Sequence, residues 1–110
     1  MSLIEKYDLL DALERIEDKI LETGAFTKLL GSYFSLSIEI EEDIQLDRPV
    51  FDIHTNIINE KNVSSYQAEI IADSVSDRLY SYLLYKGFAR EEVSNFHRED
   101  KVTVNGVRVW

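Results

Sequence analysis

The chain has 110 residues, enough for one domain spanning 1–110 and too few for a second with its own core. Hydrophobic residues make up 45%, which excludes a disordered chain, and zero cysteines exclude disulfides, thiolate metal sites and cysteine nucleophiles together. Net charge is −9, with 12 acidic and 4 basic residues in positions 1–47 against 9 and 8 in positions 48–110, so the front half is a poor surface for gripping a phosphate backbone.

Ser2, with Glu5 three residues on, has the form of a capping box that opens a first helix. Leu3, Tyr7, Leu10, Leu13, Ile16 and Ile20 recur every three or four residues and predict its apolar face. Gly24 is its expected stop, because glycine enters the left-handed conformation without steric cost. A short helical turn over Ala25–Leu30 fits before Gly31.

Leu36, Ile38 and Ile40 alternate with Ser35, Ser37, Glu39 and Glu41, a strand with one wet face. The acidic run Glu41-Glu42-Asp43 is expected to end it. A loop of about eight residues then leads to Arg48-Pro49, where a second, antiparallel strand begins. Phe51, Ile53, Thr55 and Ile57 alternate there with Asp52, His54 and Asn56. Ile44 and Leu46 either extend the strands or form an exposed patch.

Ser64 and Gln67 form a second capping box, with Val63 placed to staple against Ala68. The stripe Ala68, Ile71, Ala72, Val75, Leu79, Tyr82 and Leu83 predicts one buried face, and Gly87-Phe88 a Schellman ending. Residues 89–100 carry charge without a clear period. The tail ends in a hairpin: Asn105-Gly106 between alternating valines pairs Val104 with Val107 and Val102 with Val109. The order is α-β-β-α-β-β. It predicts an α+β fold with both helices on one face of an antiparallel sheet, and Glu39, Glu41, Asp52, His54 and Asn56 on the other.

Chemistry-bearing patterns are sparse. His54 lies beside Asp52 on a polar strand face, with Glu39 the only recruit for a metal, and so reads as structural or solvated. The serines lack a nucleophile-elbow context, and the four glycines do not cluster into a phosphate-cradling loop. We therefore expect no catalytic residues, no metal and no cofactor. Glu69, Asp73 and Asp77 form a like-charged line on the second helix, a solvated face partly relieved by Arg78 or a stripe for a basic partner. No apolar run approaches the roughly 18 residues of a membrane span, and no signal-peptide pattern opens the chain. No membrane association is expected, and the cytoplasm, or a particle assembled there, is the expected location.

The strand Phe51–Ile58 leads through a polar turn into SSYQAEIIADSVSDRLYSYL and then Gly87-Phe88. This unit resembles the tail-terminator or tail-completion proteins of tailed bacteriophages, by motif over the C-terminal half and by element order over the whole chain. Where those proteins often carry an aromatic residue at the strand's end, this chain has Ile57-Ile58-Asn59. The resemblance implies a structural virion protein, assembled in the host cytoplasm as a homo-oligomeric ring such as a hexamer. It would cap the tail tube protein and join it to the head–tail connector protein, without specific nucleic-acid binding. Glu39, Glu41, Glu42, Asp43, Ile44, Leu46 and Asp47 are then the candidate partner or lumen contacts. Tyr80, Tyr85, Val107, Val109 and Trp110 are the candidate oligomer contacts. The rival from another class is an acidic, non-enzymatic inhibitor: an anti-defence factor, an antitoxin or a secretion chaperone docking on a basic protein. An enzyme would need a site built around Asp52, His54 and Glu39.

Overall fold

A computed structural model describes residues 4–31, 33–45 and 48–110. Among them the chain runs α1 (Lys6–Thr23), α2 (Thr27–Leu30), β1 (Phe34–Gln45), β2 (Arg48–Asn59), α3 (Ser65–Tyr85), α4 (Arg90–Asn95), β3 (His97–Val104) and β4 (Val107–Arg108). The α+β class holds, and the expected order gains two short helices. Ser2, Leu3, Leu46 and Asp47, all named above, lie outside the described residues.

The sheet is mixed, which corrects the expected antiparallel one. Strand order is β1-β2-β3-β4, with β1/β2 and β3/β4 antiparallel and β2/β3 parallel. The reason is the crossover: α3 and α4 carry the chain back along the sheet, so β3 starts opposite Val50 and runs alongside β2. A second correction concerns the acidic run. β1 continues through Glu41, Glu42 and Asp43 to Gln45, and its ladder closes at Gln45 opposite Arg48, so two residues rather than eight connect the strands. Charged side chains that point to water leave main-chain pairing intact, and the pairing with β2 outweighs the weak strand preference of Glu and Asp.

Both long helices cover one face of the sheet. Leu36, Ile40, Phe51, Ile53, Ile57, Val102 and Val104 pack there against Leu9, Leu13, Ile16 and Ile20 of α1 and Ile71, Val75, Leu79 and Leu83 of α3. Leu9, Ile20, Leu79 and Leu83 are completely buried, each contributing about 1.5–3 kcal/mol relative to exposure.

The buried stripe of α1 is Leu9, Ala12, Leu13, Ile16 and Ile20, which leaves Tyr7 68% and Leu10 48% exposed, contrary to expectation. Its start also differs: Glu5 is the N-cap, in a capping box with Asp8, whose carboxylate accepts from the Glu5 N–H at 2.9 Å. At the far end Gly24 has φ 66° and stops the helix as read.

α3 follows its sequence closely. Ser64 accepts from the Gln67 N–H at 3.2 Å, and Gln67 returns the bond to the Ser64 N–H at 3.0 Å. The Phe88 N–H bonds the Leu83 carbonyl and the Gly87 N–H that of Leu84, the paired bonds of a Schellman ending, with Gly87 at φ 101°. Of the predicted stripe only Tyr82 departs, half-buried with its hydroxyl donating to Asp11 at 2.9 Å.

Asn105 and Gly106 take φ 51° and 83°, as a two-residue type I′ turn requires. Val104 pairs with Val107, but Val102 exchanges main-chain bonds with Trp110 and accepts one more from Val109. Two residues thus oppose one, a bulge that ends β4 early and displaces the expected Val102–Val109 pair. Asn105 also clamps β2: its Oδ1 accepts from the Asn59 N–H at 3.0 Å and its Nδ2 donates to the Asn59 carbonyl at 2.8 Å.

β1 is an outer strand of the sheet. Midway along it Glu17 of α1 reaches over, and its Oε2 accepts the Ile38 N–H at 3.0 Å. The helix thereby closes part of an edge that would otherwise invite another strand.

Candidate functional site

Pleating sorts the strand residues onto two faces. On the face away from the helices, the registers align Ser37–Asn56–Thr103, Glu39–His54–Lys101 and Glu41–Asp52–Glu99 across three strands. The expected residues Glu39, Glu41, Asp52, His54 and Asn56 therefore do share this face, joined by three side chains from β3.

The row Glu41–Asp52–Glu99 sets carboxylates directly opposite one another, an arrangement that costs stability by like-charge repulsion. Lys101 offsets it, with Nζ 3.9 Å from Asp52 Oδ2 and 3.8 Å from Glu99 Oε2. His54 stands between Glu39 and this cation, and its Nε2 is buried without a hydrogen-bond partner among the described residues. The far end of the face is less polar: Tyr33 and Ile58 are exposed there and line, with Phe34, Ser35, Asn59 and Glu60, an open groove of about 480 Å³.

Toward the other end the hairpin outruns its neighbours. β3 pairs with β2 only from Val50 onward, whereas β1 and β2 pair on to Gln45–Arg48. Ile44, on this projection, is 78% exposed; Glu41, Glu42 and Asp43 are exposed just behind it, in the rows that end on Glu99, Arg98 and His97 of β3. The predicted acidic group is thus divided by the pleat. Glu39, Glu41 and Asp43 belong to the open face, while Glu42 and Ile44 belong to the helix side.

The predicted oligomer residues do not form one patch. Tyr80 is half-buried against the core and Tyr85 is 84% exposed; five positions apart on a helix, they point roughly 140° apart. Val107, Val109 and Trp110 lie together at the β4 edge, with Val107 65% and Trp110 37% exposed and Val109 packed on the core.

No family model matches this chain, no curated protein matches it, and no solved structure matches it. Among the described residues, no three His, Asp or Glu side chains are grouped to hold a metal ion, and no helix is long and apolar enough to cross a membrane.

A polar cluster that the sequence reading missed lies beneath α3. Arg98 donates to Ser76, stands 3.6 Å from Asp100 and lies over the Phe96 ring at 5.2 Å. Burial pushes the Asp100 carboxyl above the ordinary carboxylate range; Arg98 opposes that shift and Asp73 adds to it. A signal was present: stepping back by two from the core residues Val104 and Val102 reaches Asp100 and Arg98. Asp11 moves the other way, held below its usual range first by the Tyr82 hydroxyl and then by Arg15. On α3 the line Glu69, Asp73 and Asp77 is exposed, and Arg78, expected to relieve it, donates to Ser74 at 3.4 Å.

Proposed function

We propose that this chain is a structural, non-enzymatic subunit of a ring, of the tail-terminator or tail-completion type, with the acidic hairpin as its working end. The observation that carries the reading is the exposed acidic group Glu41, Glu42 and Asp43 on the outer strand β1, followed by Ile44 where the β1–β2 ladder runs on past the start of β3. An acidic corner on an outer strand can meet a neighbour or a lumen without disturbing the core behind it. In a lumen, its carboxylates would let DNA slide past, since they offer no cations for phosphates to bind. The tail tube protein and the head–tail connector protein are the partners of this reading.

Native mass spectrometry with negative-stain electron microscopy of the purified chain tests it, the expected result being a closed ring. A monomer at every concentration, with and without high salt, would argue strongly against it. The acidic-inhibitor reading draws on a different observation, the uncovered row Glu41–Asp52–Glu99. It requires tight, salt-sensitive binding of one basic protein by a monomer or dimer.

A further inference from the structure

On the outer side of the helix layer, cations gather along one groove between α1 and α3. Asp11, Arg15 and Lys19 follow one line on α1, and Ser74, Arg78, Tyr82 and Lys86 follow another on α3. The lines meet across the helix pair: Tyr82 donates to Asp11, Arg15 Nε lies 3.4 Å from the same carboxylate, and Lys86 Nζ is 5.7 Å above the Tyr82 ring. Arg15, Lys19, Arg78 and Tyr82 then line a groove of about 400 Å³ floored by the buried Ile16. In a chain of net charge −9, three cations around one apolar floor run against the overall balance. Asp11, one helical turn before Arg15, is already engaged by Tyr82 and Arg15.

We propose that this groove receives the acidic hairpin end of a second copy of the chain. Charge complementarity selects the occupant. Glu42 and Ile44 stand on one side of β1, about 7 Å apart, an acid beside an exposed apolar side chain. The groove offers the matching pair, cations around Ile16. A copy's own hairpin cannot fill it. Glu42 and Pro49 border Ile4–Tyr7 at the start of α1, whereas Arg15 and Lys19 lie about 14–20 Å further along the helix axis. Donor and acceptor are different surfaces, so every copy gives one contact and takes another. Such a head-to-tail interface closes into a ring or continues as a filament. The inference rests on the ring reading above and names the surfaces that would make the ring.

Charge exchange on the full chain tests it. One variant carries R15E, K19E and R78E, a second carries E41K, E42K and D43K, and a third carries all six. Masses come from light scattering and native mass spectrometry, with circular dichroism and thermal melting as folding controls. The wild type is expected to assemble and either three-site variant to run as a monomer. Their equimolar mixture should regain the wild-type mass. The six-site variant, whose net charge returns to −9, should assemble alone. K19E by itself, at an exposed position, should raise the dissociation constant several-fold even if R78E disturbs folding. A closed ring whose mass ignores all these changes overturns the contact and leaves the ring reading standing. Complementing pairs that form open chains but never rings keep the contact and remove that reading. A wild type that stays monomeric removes both.

Discussion

Asn105 gives the fold its most quantitative test. It holds φ 51° in the final turn, and its side chain exchanges two hydrogen bonds with the main chain of Asn59. Asn105→Ala removes both bonds, at about 0.5–1.5 kcal/mol each, and sets a Cβ-bearing residue without local polar compensation in the left-handed region, at about 1–2 kcal/mol. The expected loss is about 2–5 kcal/mol, a large part of the 5–15 kcal/mol typical of a domain. Asn105→Gly loses the same bonds but not the conformational fit, so it should recover about 1 kcal/mol of that deficit. Urea unfolding followed by circular dichroism, with the m-value checked for constancy, reads both numbers. If the alanine variant lost less than about 0.5 kcal/mol, or the two variants were equally stable, the assigned role of the turn would be refuted.

Two further outcomes follow from side chains described above. Glu17→Ala leaves the Ile38 N–H at the β1 edge without its acceptor; a loss of about 1 kcal/mol in urea and faster concentration-dependent aggregation by light scattering are expected, with Glu17→Gln close to wild type. Asp100 has a folded-state pKa raised by burial, so the native chain holds that proton more tightly than the unfolded one, and its contribution to stability falls as pH rises from the ordinary carboxylate range through the raised value. Asp100→Asn should remove that descent. Urea midpoints across this pH window, wild type minus variant, should slope downward with pH, and a flat or rising difference would contradict the burial argument.

Local signals were the legible ones. α3 could be bounded because Ser64, Gln67, the stripe from Ala68 to Leu83, and Gly87 each act within a turn or two of the helix. The turn at Asn105-Gly106 was readable for the same reason. The direction of β3 was not, since nothing in His97–Val104 distinguishes a parallel from an antiparallel neighbour; the path of α3 and α4 decides it. Glu41, Glu42 and Asp43 read locally as a charged strand end, because their composition disfavours a strand and only the pairing with β2 carries β1 through them. Their parity in the strand already held the division into two faces. The groove cations sit on helices far apart in sequence, and only the packing of α1 on α3 brings Arg15, Lys19 and Arg78 together.

The parallel join of β2 and β3 also shapes how the chain reaches this state. β1 and β2 meet across a two-residue connection, so their ladder forms at small loop-closure cost, on the timescale of hairpins. β3 must wait for residues 60–96 to be laid over the sheet before Val50 can meet His97. Long-range parallel pairing of this kind is intrinsically slow. During that wait the main-chain edge of β2 is unpaired and its face residues Phe51, Ile53 and Ile57 are uncovered, and the speed with which α3 docks sets how long the nascent sheet stays open to other chains.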